Sequence, residues 1–147
     1  MGVLLFAWVC HVILVQLVAV PWWIPDLTLV GMILGIGRAP ARWWLMASVA
    51  GGLTILWAVR MPVVIFGGYF VLGGLMRLAS AQWNVTDTRV QMVAATGAAL
   101  LLGLVYCGLD GVCSWQVLGW VALRSIGTGL SLFWIRRRIS GRTRLPT

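Results

Sequence analysis

The chain has no lysine and no glutamate, and only one histidine and three aspartates. These absences remove most of the groups with which proteins move protons, attack bonds or hold metals. His11 has no second ligand three or four residues away, so a helix-borne metal site is unsupported. There is no G-x-S-x-G elbow, and no glycine-rich stretch has the phosphate-loop pattern. Ser48, Ser125 and Ser131 read as helix-packing residues. The sequence therefore predicts a non-enzyme that needs no metal and no cofactor. Cysteine is scarce too. Cys10, Cys107 and Cys113 show no C-x-x-C spacing, which leaves no disulfide framework. The first two lie in apolar runs, where a reduced cysteine behaves as a small hydrophobe.

Charged residues make up 10% of the chain and apolar residues 61%, with a mean hydropathy of +0.99. A soluble domain carries about a quarter charged residues. The composition predicts an integral membrane protein, with 147 residues leaving room for a single membrane domain. The net charge is +8. In a soluble chain that would suggest nucleic acid, but here the arginines lie between apolar runs and at the basic end. Membrane orientation explains them more simply, and no nucleic-acid partner is expected.

The apolar runs define an all-α, polytopic transmembrane helical bundle of about six helices, at about 3–20, 25–37, 43–59, 62–78, 90–109 and 115–135, followed by a basic cytoplasmic tail over 136–147, flexible from Ile139 to Thr147. The first run contains His11 and Gln16 and lacks the positive flank of a secretory signal, so it reads as a retained helix. Pro21-Trp22-Trp23-Ile24-Pro25 then marks an interface turn, with Pro25 as the first residue of the next helix and Asp26 in its first turn. The second run, Leu27 to Gly37, is short for a full crossing and suits a kinked or re-entrant segment as well. Gly31 and Gly35, Gly51 and Gly52, and the pairs Gly67-Gly68 and Gly73-Gly74 are candidates for close approach of helices, within the subunit or toward a partner. Arg77 to Arg89 forms a polar loop, and Asp110-Gly111 a turn.

Six crossings put Arg38, Arg42, Arg77, Arg89 and the five C-terminal arginines, Arg136, Arg137 and Arg138 among them, on one side. Arg60, Asp26 and Asp110 fall on the other. The positive-inside rule then places both termini in the cytoplasm. Because four helices separate the Arg38 loop from the basic end in either case, the bias hardly tests the second run. Five crossings with an outside N-terminus satisfy it equally.

The last run holds the residue with the strongest claim to a specific role. Arg124 sits near its middle, where a charge costs roughly 2.5–3.5 kcal/mol on insertion. It belongs to a ridge of Gln116, Trp120, Arg124 and Thr128, which is expected to face other helices, while Leu118, Ala122, Ile126, Leu130 and Phe133 form the opposite side. Nine residues from Trp115, about 13 Å along the helix, Arg124 is expected to pair with Asp26 or with Asp110. A structural lock and an anion or lipid-headgroup contact in a cavity both fit it.

Ile24-Pro25-Asp26-Leu27-x-Leu29, a short run, and a helix containing Ala50-Gly51-Gly52-Leu53 follow one another along the chain. With the Met61-Pro-Val-Val-Ile-Phe-Gly-Gly-Tyr-Phe-Val-Leu span and the basic final helix, this order resembles the rod shape-determining protein MreD family over nearly the whole chain. That family usually places an aspartate shortly after the Gly-Leu; this chain continues Thr54-Ile55-Leu56-Trp57, so no role of that aspartate carries over. The resemblance implies a non-enzymatic component of the bacterial inner membrane that supports cell elongation and peptidoglycan synthesis. It also implies an MreC-like bitopic scaffold as partner and, through it, a RodA-type glycosyltransferase, a transpeptidase and MreB. An alternative expectation is a small-molecule-binding membrane subunit of a transporter, similar to the S-components of vitamin transporters. The many tryptophans and the intramembrane arginine suit such a pocket, but the first helix offers only Ala7 and Ala19 in place of an Ala-x-x-x-Ala docking pattern.

Overall fold

The computed structural model describes residues 2–17, 24–56, 61–84 and 86–142. Among these, the elements are α1 (Gly2–Leu17), α2 (Leu27–Arg38), a 3₁₀ turn at Pro40–Arg42, α3 (Trp43–Ile55), α4 (Pro62–Gln82), α5 (Thr88–Leu109) and α6 (Trp115–Arg142), with no strand. The protein is an all-α bundle. The Pro62–Gln82, Thr88–Leu109 and Trp115–Arg138 segments are each long and apolar enough to cross a membrane, which makes this a helical membrane protein.

Several boundaries differ from the sequence expectation, each for a local reason. Pro25 stays outside α2 because Asp26 is the N-cap, its carboxylate accepting the Leu29 N–H at 3.0 Å. Residues 77–82 continue α4 instead of opening a loop. They contain no proline or glycine, and the Arg77 guanidinium reaches Ser80 one turn on at 3.0 Å. Asp87 caps α5 by accepting the Arg89 N–H at 2.8 Å, which starts that helix at Thr88. The tail expected over 136–147 is corrected as far as Arg142, and its positions 143–147 lie outside the described residues. α6 runs on through Arg142, since positions 130–140 contain no glycine or proline and Arg136 donates to Gln91 Oε1 of α5 at 2.7 Å. At the other ends of α1 and α3, positions 18–20 and 57–59 of the expected spans lie outside the described residues, as does Arg60.

The turn after α5 forms at Asp110-Gly111 as the sequence predicts. Gly111 has φ +67°, and the Val112 N–H donates back to the Cys107 carbonyl at 3.2 Å, closing the helix with a left-handed cap. Met61, just before Pro62, also adopts a left-handed φ of 53°, a region rarely used by residues with a side chain.

The centre of the bundle is α2. It touches every other helix among the described residues, and Leu29, Val30, Met32, Ile33 and Ile36 are fully enclosed. Around it the chain folds as close antiparallel pairs, α3 on α4 and α5 on α6, with α1 against α2. Inside a bilayer, apolar residues gain little by leaving lipid for protein, so close packing and polar links must supply the cohesion. Small residues provide the packing. A Cβ on Gly31 would lie 3.0 Å from Ala7 Cβ and 3.1 Å from the Leu4 backbone, and one on Gly73 would lie 2.7 Å from Ala47 Cβ.

Twelve residues of α2 reach about 18 Å, short of the ~30 Å hydrocarbon layer. The helix starts level with Gly127 and Thr128 of α6 and runs toward the basic end. It fills that half of the bundle and leaves the other half without a central helix.

Candidate functional site

A cavity of about 650 Å³ occupies the half that α2 does not reach. Its walls come from the end of α3, the start of α4, the end of α5 and the start of α6, all of which lie at the Asp110 end. Its floor is the N-terminus of α2. There Asp26 is buried, and one carboxylate oxygen is used by its own helix cap. The other, Oδ2, accepts the Tyr69 hydroxyl of α4 at 2.8 Å and lies 3.7 Å from Arg124 Nη2 of α6. The Asp26 backbone N–H donates to Thr128 Oγ1 at 3.0 Å, and that hydroxyl in turn donates to the Arg124 carbonyl at 2.8 Å.

The two ends of the ion pair differ in setting. The Asp26 side chain is 12% exposed and that of Arg124 42%, so the arginine looks into the cavity while the carboxylate supports it from below. A carboxylate away from water requires hydrogen bonds to stay where it is. Here one group ties α2, α4 and α6 together. α1 joins through the ring Nδ1 of His11, 3.1 Å from the Pro25 carbonyl. Trp8 adds a second link from α1, donating to the Leu53 carbonyl of α3 at 3.1 Å.

Of the two aspartates expected near Arg124, the structure brings Asp26 to it and leaves Asp110 at the mouth of the same cavity. Along α6 the expected ridge faces other helices, buried in its second half and open to the cavity in its first. Ser125, Thr128 and Leu132 are buried, while Gln116 and Trp120 are exposed and line the cavity wall. The close contact with α5 runs along Gly103 and Gly129. A Cβ at either position would collide with Val121 or with Thr96 and the Met92 carbonyl. The hydroxyls of Ser125 and Ser131 donate to the Val121 and Gly127 carbonyls of their own helix at 2.7 and 2.8 Å, which satisfies them without a partner helix.

The structure divides the glycine candidates into two groups. Gly31, Gly35, Gly51, Gly68 and Gly73 face neighbouring helices of this chain, and Gly74 lies against the Trp43 ring. A Cβ on Gly52 or Gly67 would meet nothing within 4 Å. Arg136, Arg137 and Arg138 stand at the basic end, Arg136 half-buried against Gln91 and the other two exposed.

The residue that sequence reasoning missed is Tyr69, which is fully enclosed. A signal existed, because the chain has only two tyrosines and both fall within apolar runs. A phenol in such a place requires a partner for its hydroxyl. Both tyrosines, Tyr69 and Tyr106, line the cavity. Among the described residues, no group of three or more histidine, cysteine, aspartate or glutamate side chains comes together as a metal site. Comparison with protein-family models, curated proteins and solved structures finds no match for this chain.

Proposed function

We propose that this protein is a non-enzymatic component of the bacterial inner membrane that serves cell elongation by docking the membrane helices of partners, as its resemblance to MreD implies. The observation that carries this reading is how its polar groups are used. Asp26, Tyr69, Arg124, Thr128 and His11 are engaged with one another or with backbone, tying four helices together. What faces outward is apolar helix surface, such as Val63, Val71 and Leu78 of α4, with Gly52 and Gly67 open to an approaching helix. The Pro25-Asp26-Leu27 segment, on which the resemblance partly rests, is the knot of that network. The partner is a bitopic scaffold of the MreC kind, which connects the protein to a RodA-type glycosyltransferase, its transpeptidase and MreB.

Capture of the tagged full chain from membranes tests this reading. The scaffold is expected to copurify, and the double variant Gly52→Val/Gly67→Val to recover about tenfold less of it at unchanged protein level. A scaffold that never copurifies, or recovery that ignores both substitutions, sinks the proposal.

The cavity favours a second reading, a small-molecule-binding membrane subunit, since its volume lies in the range of ligand pockets. One thiol experiment addresses this and the orientation together. Cys113 is exposed just beyond the Asp110 turn, and Cys107 is buried in the cavity wall. With the basic end cytoplasmic, a membrane-impermeant maleimide should label Cys113 on intact cells. Labelling only in inverted vesicles would reverse the orientation. In a Cys113→Ser background Cys107 should react slowly, and the second reading requires a candidate small molecule to slow it further.

A further inference from the structure

At the opposite end of the bundle, a groove of about 670 Å³ lies between the first turn of α5 and the last membrane turns of α6. Its upper rim carries Arg89, Arg136 and Arg137, and its lower part is lined by Met92, Leu130 and Phe133. Leu130 and Phe133 are exposed on the outer surface of α6, about one to two turns before Arg136 and Arg137. We infer that this groove is a binding site for an anionic phospholipid, which sets its phosphate among the three guanidinium groups and runs a chain down the apolar strip.

The arrangement is built into the fold. α6 stays helical through Arg142, so Arg136 and Arg137 keep a fixed register instead of lying on a loose tail. Arg136 is held by the buried Gln91 through one guanidinium nitrogen, and a guanidinium has further N–H donors to offer a phosphate. The one acidic side chain on the rim, Asp87, is already engaged as the α5 cap, and the rim remains net positive. Basic pockets between membrane helices beside an apolar face match the two parts of a lipid, a charged head and a hydrocarbon tail. A soluble anion would use only the upper half. The site is independent of which partner docks on α3 and α4.

Native mass spectrometry of the delipidated full-length protein provides the test, with phosphatidylglycerol, phosphatidylcholine and inorganic phosphate as probes. The wild-type protein is expected to retain phosphatidylglycerol about tenfold better than phosphatidylcholine. Arg89→Gln/Arg137→Gln should abolish that preference, because each basic residue near an anionic headgroup contributes a several-fold effect. Arg138→Gln, which does not line the groove, should preserve it. Equal retention of the two lipids by the wild type overturns the site without recourse to any variant. So does displacement of phosphatidylglycerol by equimolar inorganic phosphate, which would mark a free-anion site. Persistence of the preference in the double variant, or its loss in Arg138→Gln, would show diffuse surface charge and reject the groove.

Discussion

Asp26→Ala is expected to destabilise the bundle by about 2.5–4 kcal/mol. About 1 kcal/mol is the loss of the α2 cap, where Leu29 N–H donates to Oδ1. A further ~1.5–3 kcal/mol comes from the buried hydrogen bond between a phenol and a carboxylate, here Tyr69 to Oδ2. The Arg124 contact adds little, because that side chain is substantially exposed and the separation is 3.7 Å. Asp26→Asn keeps the cap through its single amide oxygen but sets an NH2 donor where Oδ2 accepted the Tyr69 hydroxyl, and should cost about 1–2 kcal/mol. Tyr69→Phe should fall between the two, and combined with Asp26→Ala it should add almost nothing, since the two residues share one interaction. Unfolding in detergent micelles measures the series. A loss below about 1 kcal/mol for Asp26→Ala would mean that helix packing alone holds α2 in place.

The second large effect comes from adding side chains where helices meet. Gly73→Val and Gly129→Val are each expected to cost about 2–3 kcal/mol through overpacking. At Gly73 the obstacle is Ala47, whose short buried side chain has nowhere to move. At Gly129 it is the Thr96 hydroxyl together with the Met92 carbonyl, which is backbone. Gly35 and Gly68 should be more tolerant, because they face the far ends of Met46 and Leu102, which can rotate aside. Gly52→Ala and Gly67→Ala should be neutral or raise stability by up to about 1 kcal/mol, since alanine is the better helix former and nothing stands in its way. The same unfolding assay reads all six. If Gly73 and Gly52 responded alike, the separation of inner from outer glycines would fail.

Orientation and docking depend on different features of the chain, and they fail separately. A reversed Cys113 labelling pattern would turn the bundle over without touching the internal network. Failure of the scaffold to copurify would leave the network and its stability effects intact.

Much of the architecture was legible because lipid imposes simple demands. A run of about twenty apolar residues can only be a helix there, which located α4, α5 and α6 and made Arg124 conspicuous. The pairing of Arg124 with an aspartate was legible for the same reason, as an intramembrane charge needs a partner. Which aspartate it meets was beyond the sequence, since both fall toward the same end along the chain. Periodicity gave the inward ridge of α6, but not which part of it closes into a buried seam. α5 and α6 come close at Gly103 and Gly129, and those contacts are not local.

The sequence by itself determined that this is a helical membrane protein with a basic end and a charged residue inside its last helix, because composition, run length and arginine placement are properties of the chain taken one segment at a time. Only the tertiary structure decided that the short α2 stands at the centre. Its length alone fits a loop, a re-entrant segment or a core helix equally well, and the choice rests on the surrounding helices that enclose it. From that single placement follow the burial of Asp26, the partner for Tyr69 and the cavity above both. A helix of about 18 Å within a layer of ~30 Å must end inside the bundle, and its exposed N–H groups must be capped where it ends.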